Sequence, residues 1–155
     1  MQGSVKVIHE LNQLLTGELT ASDQYFTHSR MYENWGFRKL YERLDHERLE
    51  ELQHSSQLIH RILFLGGVPN VASRDALKIG SNVPEMIQND LDSELAVIKE
   101  LKKAIGVCEA EQDYESRRIL IELLRDTEED HTHWLEVQQS LIAKMGLQNY
   151  LQSVS

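Results

Sequence analysis

The chain has 155 residues, of which 25 are acidic and 16 are Lys or Arg, giving a formal net charge of −9, and it contains one cysteine. That length suits a single domain, 1–155, with a real core. The acidic balance argues against nucleic acid and toward cations as partners, and a lone thiol excludes an intrachain disulfide and suits a reducing cytoplasm. Glycines and prolines are scarce, at 8 and 2, so helix is expected almost throughout. No apolar run reaches the roughly 20 residues a membrane span needs, and the first ten residues lack the apolar core of a signal peptide. A soluble, cytoplasmic, all-α protein is expected.

The first helix is expected from about Ser4 to Asn34, with Val7, Leu11, Leu14, Leu15 and Leu19 at helical spacing. Glu18 sits within that apolar set, and Tyr25 lies about two turns further on, on nearly the same face. Trp35-Gly36 reads as a turn with Gly36 as cap. A second helix is expected from near Lys39 to Leu65, with Leu40, Leu44, Leu58, Ile62 and Leu65 as its stripe. Gly66-Gly67-Val68-Pro69 ends it. Residues from Asn70 to about Asn82 read as a long connection, with a short β-like pair around Leu77 to Ile79. A connection of that length runs along a bundle and sets the helices on either side of it parallel. The third helix is expected from Pro84 to about Glu111, with Met86, Ile87, Leu91, Leu95, Ile98, Leu101 and Ile105 inward. Asp113 is the expected cap of a fourth helix from Tyr114 to Lys144, and Leu147 to Gln152 is expected to form a short tail helix.

Two spaced motifs stand out on these helices. Glu51 and His54 form one Glu-x-x-His, and Glu128 and His131 form another. Three residues apart on a helix means one face, so in each motif a carboxylate and an imidazole point the same way. Two facing motifs need two further carboxylates to hold two metal ions, and Glu18 and Glu94 are the candidates. The lone glutamates lie 76 residues apart (18 to 94) and the motifs 77 apart (51 to 128), as two repeated helical hairpins would give. Iron(II) accepts mixed oxygen and nitrogen ligands, and four glutamates nearly balance two divalent ions. Without a cation, four carboxylates in a bundle core would repel one another and be costly to desolvate. A single Glu-x-x-His is more often a solvated helix face; it is the matched set on four helices that points to a di-metal site. His46 and Glu50, four apart before the first motif, are divided between an exposed charged face and a secondary iron site. Tyr25 and Trp134 read more readily as core aromatics than as electron donors, and Cys108 as a packed thiol.

The four-helix order with a Glu from each of two helices and a Glu-x-x-His from each of the others matches the pattern of ferritin-like di-iron bundles. The chain resembles bacterioferritins and bacterial ferritins over nearly its whole length. The resemblance is carried by Asp23-Gln24-Tyr25-Phe26, His28-Ser29-Arg30-Met31, Arg61-Ile62-Leu63-Phe64-Leu65 and the closing Gly146-Leu147-Gln148-Asn149-Tyr150-Leu151-Gln152. It implies a homo-24-mer shell around an iron-mineral cavity, with a ferroxidase centre in each bundle that oxidises Fe(II) with O2 or H2O2. It implies Glu18, Glu51, His54, Glu94, Glu128 and His131 as iron ligands, with Glu51 and Glu128 as bridges. It also implies His46 and Glu50 as an inner-surface iron site, Tyr25 as a redox tyrosine, Asn149 and Gln152 at a four-fold pore, and a ferredoxin that returns iron to solution.

One departure concerns haem. Haem-binding relatives carry a methionine directly after the first motif's Glu, and here that residue is Leu52. Leucine offers iron no lone pair, so a shared bis-methionine haem is not expected in a homo-oligomer. The chain is then either a haem-free shell protein or a subunit that co-assembles with a haem-bearing one. A second departure is an extra residue around Thr127, which keeps the Glu128/His131 spacing and is expected to produce a local helix bulge. Rival readings are a rubrerythrin-like peroxidase, whose Cys-rich iron domain this chain lacks, and a structural bundle whose Glu and His form only salt links.

Overall fold

A computed structural model describes residues 1–155. Its helices are α1 (Val5–Trp35), α2 (Arg38–Phe64), α3 (Val83–Ala110), α4 (Tyr114–Arg125), α5 (His133–Met145) and α6 (Leu147–Ser153). Between α4 and α5 a π-helical segment, Asp126–Thr132, carries the chain on without a break. α1, α2, α3 and the continuous α4–π–α5 rod make the four-helix bundle, in agreement with the ferritin-like expectation.

The helix ends follow from local chemistry. Gly36 has φ 85° and donates its N–H to Glu33 and Tyr32 carbonyls, while the Phe37 N–H reaches the Tyr32 carbonyl, so the left-handed residue closes α1. The Asn82 side chain accepts the Glu85 N–H at 3.0 Å, and Pro84 sits in the first turn of α3, where its missing N–H costs nothing. Asp113 accepts the Ser116 N–H at 3.0 Å and also receives Arg61 from the end of α2 at 2.9 Å. That link brings the C-terminal end of α2 beside the end of α3. α2 and α3 therefore run parallel, joined by the long crossover.

The crossover is extended, but it forms no strand pair. The expected β-like pairing near Leu77–Ile79 is replaced by side chains of α1. Thr20 accepts the Asp75 N–H, Gln24 the Lys78 N–H and His28 the Gly80 N–H. These three residues are four apart on one helix face, so a polar ladder satisfies the backbone donors that a second strand would otherwise take.

Two apolar clusters fill the bundle. One contains Leu11, Leu15, Leu58, Leu101 and Leu120; the other contains Tyr32, Leu44, Met86, Leu135 and Tyr150. α6 folds back onto the second cluster, held by the Tyr150 hydroxyl donating to Gln138 at 2.7 Å and by the Lys39 N–H donating to the Val154 carbonyl at 3.0 Å. Leu95, expected on the inner stripe of α3, is 50% exposed. At its height the bundle interior is occupied by polar residues, with Glu94 turned inward.

Candidate metal centre

Midway between the apolar clusters each long rod turns charged residues inward. Glu18 comes from α1, Glu47, Glu51 and His54 from α2, Glu94 from α3 and His131 from the π segment, each 3% exposed or less. Helical spacing explains the α2 set, because 47, 51 and 54 are four and three residues apart and share one face.

Three groups have ligand atoms within 4.8 Å of one another: one is Glu47/Glu50/Asp130/His131, and the other two, Glu18/Glu51/His54 and Glu51/Glu94/His131, overlap at the centre of the layer. Glu51 belongs to both. Its Oε1 is 2.9 Å from His131 Nδ1 and its Oε2 is 3.7 Å from His54 Nδ1. Glu18 approaches His54 Nδ1 at 3.4 Å, and Glu94 approaches His131 Nδ1 at 3.6 Å. The imidazoles stack, with centroids 5.9 Å apart. Both Nδ1 atoms thus face the cluster, and both Nε2 atoms face carboxylates outside it. His54 Nε2 lies 3.3 Å from Asp126, and His131 Nε2 lies 2.6 Å from both Glu47 and Glu50. Outer carboxylates of this kind fix the ring orientation and tautomer of a metal-ligating histidine. Arg43 pairs with Glu47 at 2.6 Å and Asp130 at 2.8 Å, and its guanidinium lies over the Trp134 ring.

Burial and the neighbouring Glu51 push the Glu18 carboxyl up to about 8. Burial and, more weakly, Glu18 raise Glu94, against the pull of His131. Burial pushes His54 down, but Glu18 and Glu51 outweigh it and hold the imidazole at about 11. His131 is likewise driven upward, as its contacts with Glu47, Glu51 and Glu94 outweigh burial. The histidines act as the internal cations of an acidic core. They do not complete the layer: both oxygens of Glu18 are buried without a hydrogen-bond partner, and the Nδ1 atoms of His54 and His131 are met only by the layer's own carboxylates. Buried charged atoms are costly in that state. A set of carboxylate oxygens and imidazole nitrogens fits a pair of divalent first-row metal ions.

The structure brings together Glu18, Glu51, His54, Glu94 and His131. It places the Tyr25 hydroxyl as a hydrogen-bond donor to Glu94, with Tyr25 buried. Glu50 reaches the cluster's edge through His131, while His46, paired with Glu50 at 2.6 Å, is largely exposed. Glu128 is not brought in. Its side chain is 43% exposed and pairs with Lys102 of α3 at 3.8 Å. The cause is the expected extra residue: the π segment rotates position 128 out of the interior and buries Thr127, whose hydroxyl donates to the Leu123 carbonyl.

Glu47, Asp126 and Asp130 were not expected at the site. The signal for Glu47 was present, since it lies two turns before His54. Asp126 is five residues from His131, a spacing that shares a face only in a π turn.

Four rods, one crossover and a buried carboxylate–imidazole layer define the ferritin-like class, and the model described as Ferritin-like domain matches residues 8–145. The chain is 57% identical over 153 residues to a bacterial ferritin of Synechocystis sp., covering 99% of this chain and 98% of that one. It is 58% identical to a bacterial ferritin of Pseudomonas aeruginosa, covering 99% of each, and 41% identical to a bacterioferritin of Mycobacterium leprae, covering 97% and 94%. The chain belongs to the bacterial ferritin and bacterioferritin family.

Proposed function

We propose that this protein is an iron-storage ferroxidase. Fe(II) is its substrate, bound as a pair at Glu18, Glu51, His54, Glu94 and His131. The reading rests above all on Glu51, a buried carboxylate shared by two ligand groups, each completed by an imidazole Nδ1 turned toward it. Two Fe(II) supply two electrons, which matches reduction of O2 to H2O2 or of H2O2 to water. The chain's own part is to hold the two ions close together, to exclude water by the apolar clusters on either side, and to give up protons from Glu18 and the imidazoles as the ions bind. Glu50 links His131 to the exposed His46. This gives the oxidised iron a run of ligands leading outward, toward storage inside a shell of 24 subunits as the resemblance implies.

The test is iron oxidation by a Glu51→Ala, His54→Ala double variant. Rapid Fe(II) oxidation, followed by ferric absorbance after mixing with O2 or with H2O2, is expected to be lost while helical content is kept. Oxidation at the wild-type rate overturns the assignment. A second reading, co-assembly with a haem-bearing subunit, draws on Leu52. It is 43% exposed on α2, at the position where the resemblance implies a methionine in haem-binding relatives.

A further inference from the structure

The second half of the chain exceeds the first by one residue, and the surplus lies inside the π segment. Asp126 stands 76 residues after Glu50 (50 to 126), and His131 stands 77 after His54 (54 to 131). The contacts keep this two-fold relation. His54 Nε2 meets Asp126, and His131 Nε2 meets Glu50. Position 51 therefore has two possible counterparts. Counted onward from Asp126 it is Thr127; counted back from His131 it is Glu128. One inward position cannot hold both. Here Thr127 is 1% exposed, and Glu128 points to Lys102 at the surface.

We propose that Glu128 is a conditional ligand: the π segment has two registers, and divalent metal selects the one in which the bulge moves a residue toward the N-terminus and Glu128 replaces Thr127 opposite Glu51. The proposal rests on the di-metal reading above.

The two registers are close in energy. Moving a π bulge along a helix exchanges backbone hydrogen bonds one for one. The Glu128–Lys102 pair is solvated and contributes little, and the Thr127 hydroxyl bonds only within its own helix. Charge decides between them. Without metal, another carboxylate beside Glu18, Glu51 and Glu94 adds repulsion where burial has already made ionisation costly. With two divalent ions in place the same carboxylate is attracted. A ligand shifts such an equilibrium by its differential affinity for the two states, and the register cost lowers its apparent affinity.

The experiment is a Co(II) titration without oxygen, read from visible d–d absorbance. It compares the wild-type shell, Glu128→Gln and a deletion of Thr127, which restores an uninterrupted α-helix with Glu128 inward. Glu128→Gln is expected to weaken the second Co(II) by about tenfold or more, and the deletion is expected to tighten it relative to wild type. Crystal structures of the metal-free and Co(II)-loaded wild type are expected to show Glu128 outside and inside respectively, which decides the matter if the deletion fails to fold. Wild-type affinity in Glu128→Gln overturns the proposal, as does the same register in both crystals. Failure of the wild type itself to take up Co(II) would instead overturn the di-metal reading.

Discussion

At Glu18 and His54 the buried charge sets how stability depends on pH. Glu18 holds its proton up to about 8 when folded against an ordinary 4.5. Between those values the unfolded chain has released a proton that the folded chain retains, so stability falls as pH rises through that window. His54 acts in the same sense: its contribution is fully present below 6.5 and is lost as pH rises toward 11. The melting temperature of the metal-free protein is therefore expected to be lower at pH 8 than at pH 5.5, with Glu18→Gln flattening the decline. Metal must displace these protons. Calorimetric titrations with Zn(II) at pH 7, in buffers of different ionisation enthalpy, are expected to report net proton release; uptake without release would contradict the charge states assigned to this layer.

The least regular element, the crossover, is fixed by the most regular one, α1. His28 accepts from Gly80 through Nε2, so its Nδ1 carries the proton and donates to Asp90 at 2.9 Å. Gln24 donates to the same Asp90 oxygen at 2.8 Å. His28→Ala would leave Asp90, itself 0% exposed, short of a donor and the Gly80 N–H without an acceptor. The expected cost is about 1–3 kcal/mol, together with faster amide exchange confined to residues 75–80; unchanged exchange there would show that the ladder does not hold the crossover. The element boundaries were largely legible beforehand. Gly36, Asp113, Pro84 and Gly146 act through their own backbone or side chains, and such local effects can be read from a linear pattern. The ladder was not legible, because Thr20, Gln24 and His28 look like any polar helical positions until the crossover lies across them.

For the molecule as a whole, the exposed α2 surface bears on assembly. Leu52 is 43% exposed, available to meet a second copy and without a lone pair for iron. The protein expressed alone is expected to purify without haem absorbance, and Leu52→Met is expected to introduce it when haem is supplied during expression. A Soret band in the wild type would show another haem ligand at work. None of the helices is long and apolar enough to cross a membrane. The acidic balance of −9 gives the molecule a negative field that draws cations such as Fe(II).

By itself the sequence determined the four rods, their order and the inward placement of Glu18, Glu51, His54, Glu94 and His131, because helical periodicity turns spacing into facing. Only the tertiary structure decided which residues complete the layer. Glu47 meets His131 across the bundle, besides Arg43 one turn back on its own helix, and Asp126 meets His54 from another rod. Glu128 lies outside because one additional residue is absorbed by i→i+5 bonding, and where along the rod such a bulge settles depends on contacts that neighbouring helices supply.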